Sequence, residues 1–247
     1  VYDVDYRHPV TLAKEIATLD VISEGRVEFG IGAGWMRRDY EAAGIPFDRP
    51  GVRIDRMIEA IEVIQGLWTA ETFDFQGSHY SINGLAGSPS PHQAGGPPII
   101  VGGGGKRVLT EAARRADIVG LNASLHAGSV GPETALSALG ERFLERRNWV
   151  EEAAGERFPK LELQMNTFMT AVTATTAEAD EMIEGMAPMF GLSPDQARTI
   201  PMVLAGTVND VCEQLHHHRE LYGTSYWVIH DGEVDAMAPV VAKMSGI

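Results

Sequence analysis

Residues 97–124 read PPIIVGGGGKRVLTEAARRADIVGLNAS. An apolar run ends in four glycines, Gly102 to Gly105, a helix-forming segment starts at Lys106, and a second apolar run follows at Ile118–Leu121. Strand, turn, helix and strand in that order form one βαβ unit, which places its two strands parallel. Glycine weakens the interior of any regular element, so a run of four needs a cause. Close approach of the backbone to a phosphate is one cause. Tight strand–helix packing is the other, and spacing alone leaves both open.

Known phosphate signatures narrow the first reading. A Walker A loop needs a Ser or Thr after Gly105-Lys106, and Arg107 stands there. The dinucleotide fingerprint G-x-G-x-x-G fits Gly102 and Gly104 but meets Arg107 at its third glycine, and the next strand ends in Asn122 rather than an acid. The reading that lacks nothing is a mononucleotide-like phosphate. Amides of Gly102, Gly103, Gly104 and Gly105 and the start of helix 106–116 would hold it, with Asn122 and Ser124 beside it.

The βα rhythm extends outward in both directions. HPVTLAKEIATLDVISEG reads as a helix with Pro9 in its first turn, Leu12, Ile16 and Leu19 on one face, and Gly25 as its stop. RVEFGIG is a buried strand. RIDRMIEAIEVIQGLW carries Ile54, Met57, Ile58, Ile61 and Trp68 on one helical stripe. TFDFQGSHYSI reads as a hairpin about Gln76-Gly77. After the quoted unit come helix 134–154, strand 160–172, helix 176–190, a short helix in SPDQARTI, helix 207–223, strand SYWVIH and a closing helix from Glu233. About six strands belong to the main sheet. An open doubly wound sheet or a (β/α)8 barrel would produce this pattern, and a barrel needs eight strands.

A second strand also ends in glycine, FGIGAGW, with Gly30, Gly32 and Gly34 alternating. Glycine at a strand end marks close approach by a ligand or by another backbone. A flat ring lying across Gly32, Ala33 and Gly34 is one reading; a barrel corner needing small residues is the other.

Composition bounds the function. The 247 residues are 44% hydrophobic and 22% charged, as in ordinary globular proteins, with a net charge of −14. That charge argues against non-specific binding to nucleic acid or to anionic membranes. Cys212 is the lone cysteine, which fits a reducing cytoplasm, and no apolar run approaches a membrane span. No metal-ligand cluster is visible, and His216, His217 and His218, consecutive on a helix, point to different faces and read as solvated surface.

Four segments together, DYRHPVTLAKEIATLDVISEGRVEFGIGAGW, GLWTAETFDFQGSHY, PPIIVGGGGKRVLTEAARRADIVGL and LAGTVNDVCEQLHHHRELYGTSYWVIH, resemble the luciferase-like monooxygenase superfamily, most nearly its coenzyme F-420-dependent oxidoreductases. The resemblance implies one α/β domain over 1–247, a (β/α)8 TIM barrel with an insertion at about 36–96. VYDVD would be the end of barrel strand 3 and RVEFGIG strand 4; IIVGG, DIVGL, LELQMN and SYWVIH would be strands 5 to 8. The expectation is that strands 1 and 2 and most of 3 precede this sequence.

The resemblance also implies a site. Gly102 to Gly105, with Asn122 and Ser124, correspond to the phosphate-binding segments. Gly32, Ala33 and Gly34 would line the ring system, and Asp5 and His8 would lie near its face. The implied reaction is hydride transfer between deazaflavin coenzyme F-420 and a small organic molecule by a cytoplasmic homodimer. His8 is the catalytic candidate, since imidazole titrates near neutral pH; capping the helix is its alternative role. An FMN-dependent monooxygenase and a non-catalytic flavin-binding protein are the other two readings. In sugar-phosphate dehydrogenases of the superfamily a glutamate follows the strand-4 glycines. Trp35 stands there in this chain, which speaks against that substrate.

Overall fold

The structure is a computed structural model that describes residues 1–245. Elements follow in the order β1 (Tyr2–Asp3), α1 (Pro9–Ser23), β2 (Phe29–Gly32), α2 (Arg37–Ala43), α3 (Pro50–Thr69), β3 (Phe73–Gln76), β4 (Ser81–Leu85), β5 (Ile99–Gly103) and α4 (Lys106–Arg115). Then come β6 (Ile118–Leu121), α5 (Pro132–Ser137), α6 (Gly140–Ala154), β7 (Glu162–Asn166), β8 (Met169–Val172), α7 (Thr176–Met186), α8 (Pro194–Arg198), β9 (Val203–Gly206), α9 (Val208–Tyr222), β10 (Thr224–Val228) and α10 (Val234–Met244). By internal contacts the chain divides into two compact units. The first is Val1–Gly102 with Glu111–Ile118 and His126–Ser129; the second is Gly103–Thr110, Val119–Leu125 and the chain from Val130 onward.

In the first unit β1 pairs parallel with β2, and β2 with β5. Phe29, Gly30 and Ile31 of β2 are all buried, as expected of a strand covered on both faces, and Ile99 and Val101 of β5 are buried as well. Helix α1 buries Leu12 and Ile16, but Leu19, expected on the same face, is 46% exposed. The buried stripe runs through Ala13, Ile16, Ala17 and Asp20, and Leu19 falls roughly a quarter-turn from its midline. Asp20 takes the inward place instead, its carboxylate accepting from the backbone and side-chain amides of Gln93 at 2.8 Å each. The helix ends on Glu24 in the left-handed region (φ 57°), one residue before the glycine expected to stop it. Helix α3 turns Met57, Ile61 and Trp68 inward as its stripe predicts, while Ile54 and Ile58 are half-buried. The hairpin β3–β4 forms as expected, with a turn at 77–80 held by α3: Glu59 accepts from the amides of Ser78, His79 and Tyr80 at 2.8, 2.8 and 3.1 Å.

In the second unit strands run in the order β6, β7, β10, with β7 and β10 parallel. The stretch 160–172, expected as one strand, is two. After Asn166 the chain changes partner: Thr167 N–H donates to Val228 O at 2.9 Å and Phe168 N–H to Met202 O at 2.7 Å. Strand β8 then pairs parallel with β9 in a separate two-stranded sheet. Strand β9 is four residues, VLAG, too short for periodicity to reveal. Likewise 134–154, expected as one helix, falls in two, α5 and α6, with α6 starting at Gly140, where any Cβ would stand 2.7 Å from Thr199 O. Leu204, Val211, Leu215, Met237 and Val240 form a core between β9, α9 and α10.

His216 and His217 are exposed, but His218, read from sequence as surface, is half-buried and stacks on Trp227 with ring centroids 5.5 Å apart. Three consecutive helical residues span much of the circumference, so one of them meets the core. Its Nδ1 is buried without a hydrogen-bond partner. Burial, with His217 alongside, pulls its pKa from 6.5 to about 4. Because the folded chain then binds fewer protons than the unfolded chain between those values, stability is full above pH 6.5 and falls as the pH drops towards 4. The loss is about 3 kcal/mol. Urea midpoints should fall less between pH 7 and 4.5 in His218→Phe than in the parent; equal falls would refute the assignment.

Candidate cofactor and active site

The glycine loop links β5 to α4. Asn122 N–H donates to Gly103 O at 3.1 Å, which sets the end of β6 beside the loop. A Cβ on Gly104 would lie 2.4 Å from Ala123 O and 2.6 Å from Ser124 N, so this glycine is required by packing. At Gly103 an added Cβ would first meet the Val108 side chain. Gly105 is different: its φ is not left-handed, and an added Cβ would meet nothing within 4 Å. Neither torsion nor packing requires glycine there. The first backbone bond of α4 runs from Leu109 N–H to Gly105 O at 3.2 Å. Ahead of it, the N–H groups of Gly104, Gly105 and Lys106 make no hydrogen bond among the described residues. Unused amides and the positive end of a helix dipole suit an anion.

Of the neighbours expected at this point, Asn122 and Ser124 are both present and half-buried. Ser124 N–H is committed to Ser137 Oγ at 2.8 Å, and that hydroxyl donates to Thr134 O at 2.8 Å. Gly102 ends the first unit. The residue that sequence reading missed is Arg146. Its side chain is 4% exposed, its Nε donates to Gly104 O at 3.0 Å and its Nη1 to Ser137 O at 2.6 Å.

The other predicted residues lie in the first unit. Asp5 is not an open carboxylate. Its side chain is 2% exposed, ion-paired with Arg56, and accepts from Tyr40 Oη at 2.8 Å. Asp3, which caps the short helical turn after β1, lies 2.8 Å from the same phenol. Tyr40 has one proton for two carboxylates, so it donates to one at a time. Burial raises the Asp3 carboxyl above its ordinary range despite the hydrogen bonds from Asp5 N–H and Tyr40. Burial, and then the two carboxylates, push the Tyr40 phenol far above its usual value. Burial would lower Arg56, but its bonds to Asp48, at 2.5 Å, and to Asp5 outweigh this and hold it fully charged.

Gly34 sits against this cluster. It is left-handed (φ 68°), and a Cβ there would lie 1.9 Å from Tyr40 Oη and 2.4 Å from Asp3 Oδ2. Fold and network therefore account for Gly34. Gly32, paired with Asp3 across the sheet, and Ala33 beside it are half-buried. Asp5, Asp48, Arg56, His8 and Tyr80 line a cleft of about 410 Å³. His8 caps α1, its Nδ1 accepting from Val10 N–H at 3.3 Å, and packs edge-on against Tyr80. That bond places the proton of the neutral ring on Nε2. Burial pushes the Tyr80 phenol up to about 12. Among the described residues, no group of three or more His, Cys, Asp or Glu could hold a metal, and no helix is long and apolar enough to cross a membrane.

Parallel strands that alternate with helices, with a row of unused amides at a strand end, define an α/β protein whose strand end suits an anion. The sequence model for luciferase-like monooxygenase matches residues 3–190, and the chain belongs to that family. An uncharacterised protein of Mycobacterium tuberculosis is 33% identical over 159 residues, 64% of this chain and 49% of that protein. The chain thus spans about half the length of such curated relatives. The FMNH(2)-dependent dimethylsulfone monooxygenase of Pseudomonas putida is 32% identical over 109 residues, 44% of this chain and 30% of that one. The coenzyme F420-dependent tetrahydromethanopterin reductase of Methanopyrus kandleri has the same fold, with a TM-score of 0.71 at 18% identity, over 94% of this chain and 76% of the other.

Proposed function

We propose that the chain belongs to an oxidoreductase that transfers a hydride between deazaflavin coenzyme F-420 and a small organic substrate. The observation that carries this reading is the unused amide row at Gly104–Lys106, fronted by a glycine that neither torsion nor packing requires. These residues fit a cofactor phosphate. The resemblance of its motifs to those of the F-420-dependent members supports that cofactor. FMN carries its phosphate on a similar chain and suits the same cradle, and the Pseudomonas relative supports it. An FMN monooxygenase is therefore the second reading, with non-catalytic flavin binding as the third.

When bound, the cofactor would supply the hydride chemistry, and the chain would orient its ring and supply protons. Amides of Gly104, Gly105 and Lys106 would hold its phosphate, with Asn122 and Ser124 alongside. Gly32, Ala33 and Gly34 would face the ring, and Asp5 would act through the Tyr40–Arg56 network rather than by direct contact. His8 would face the cleft as the acid or base of the reaction. The reading includes a single (β/α)8 barrel over 1–247, with the insertion at about 36–96. It also includes a cytoplasmic homodimer without nucleic-acid or membrane partners.

Fluorescence titration with F-420 and, separately, FMN tests the cofactor. Micromolar or tighter F-420 with weak FMN is expected. The reverse order favours the monooxygenase, and binding of neither removes the reading. His8→Asn keeps a capping side chain and should lower turnover about 100-fold with little change in melting temperature. Unchanged turnover would leave His8 as a cap alone.

A further inference from the structure

Arg146 is a buried cation without a counter-ion. Its partners are two neutral carbonyls, Gly104 O and Ser137 O, and the face of the Phe143 ring 5.2 Å away. No carboxylate pairs with it among the described residues: nearby Glu145 is half-exposed and bonds to Arg142 at 3.5 Å. Burial of a guanidinium is costly unless its charge is compensated. Burial pulls its pKa from 12.5 to about 10, with Glu145 opposing and Arg142 adding to the effect. It remains charged at neutral pH.

The position of that charge carries the argument. A trans peptide directs its C=O and the following N–H to opposite sides. By taking Gly104 O, Arg146 turns the Gly105 N–H away from itself. Through Nη1 it also fixes Ser137, whose hydroxyl holds the Ser124 amide at the end of β6. One side chain from α6 thus ties the glycine loop to the neighbouring strand end.

We propose that Arg146 is the positioning residue of the anion site: it aims the Gly105 amide and supplies the positive charge that the cofactor phosphate neutralises. This rests on the phosphate reading above and adds the residue that makes the cradle selective for a phosphate-bearing cofactor.

The test is a ratio. Affinity is measured for F-420 against its deazaflavin ribityl chromophore without phosphate, and for FMN against riboflavin. The pair that binds is used. A parent chain that binds no member, or shows no phosphate preference, refutes the phosphate reading and this proposal with it. Given a parent preference, Arg146→Gln should reduce it about tenfold, the scale of a lost charge-assisted interaction, and leave affinity for the phosphate-free partner unchanged. Arg146→Lys is the second variant, and it decides the matter if the first does not fold. A lysine buried at this position loses its charge more readily than arginine, so the preference in this variant should decline from pH 7 to 9 while the parent's stays level. A parent preference that survives undiminished in the folded variants, with the same pH profile, overturns the proposal.

Discussion

Gly105→Val is expected to leave the melting temperature within about 2 °C of the parent and to weaken a phosphate-bearing flavin or deazaflavin at least about tenfold. Gly104→Val, one residue away, should instead destabilise the chain by about 3 kcal/mol or more. The contrast follows from what a side chain meets. At Gly104 it runs into the backbone of Ala123 and Ser124 at 2.4–2.6 Å, which cannot withdraw without breaking the bonds of that segment. At Gly105 it enters open space with an ordinary backbone torsion. Only a ligand seated against the Gly104–Lys106 amides would make that space matter. Thermal melts and titrations of the two variants decide between a cradle and a mere turn. Unchanged cofactor affinity in Gly105→Val would return the loop to architecture.

Arg56→Met should cost about 3–5 kcal/mol, because removing one member of a buried pair strands the other. Among the described residues Asp5, 2% exposed, would keep only Tyr40 as a side-chain partner, while Tyr40 is also shared with Asp3. The double variant Arg56→Met with Asp5→Asn removes the stranded charge and should recover a substantial part of the loss. Urea unfolding of the parent, both single variants and the double variant gives the coupling through a mutant cycle. Additive effects would mean that the pair is solvated and contributes little. The partly exposed Arg56 (22%) and Asp48 (39%) keep the expected cost in the lower half of that range.

The family and the order of elements were legible in the sequence because they rest on local signals. Apolar runs mark β2, β5 and β6, and Pro9 starts α1. The same locality explains the errors. Residues 160–172 look like one strand because nothing in an apolar run says where it changes partner. Leu19 looks internal because the stripe's midline is set by what packs against α1.

The site divides in the same way. The glycine run, Asn122 and Ser124 could be chosen from sequence, since backbone approach to an anion is written in residues next to one another. Which glycine serves packing and which leaves space open could not be chosen. That depends on the Ala123–Ser124 backbone, folded against Gly104 from nearly twenty residues away. Arg146, 42 residues from the carbonyl it holds, looks in sequence like any arginine of an exposed helix. Asp3, Asp5, Tyr40, Asp48 and Arg56 likewise form a network only once β1, α2 and α3 meet. The sequence alone determined periodicity, caps and turn chemistry, which act over a few residues. The tertiary structure decided burial, and burial shifts the titration of Asp3 upward and of Arg146 and His218 downward, because the cost of a charge depends on the atoms that replace water around it.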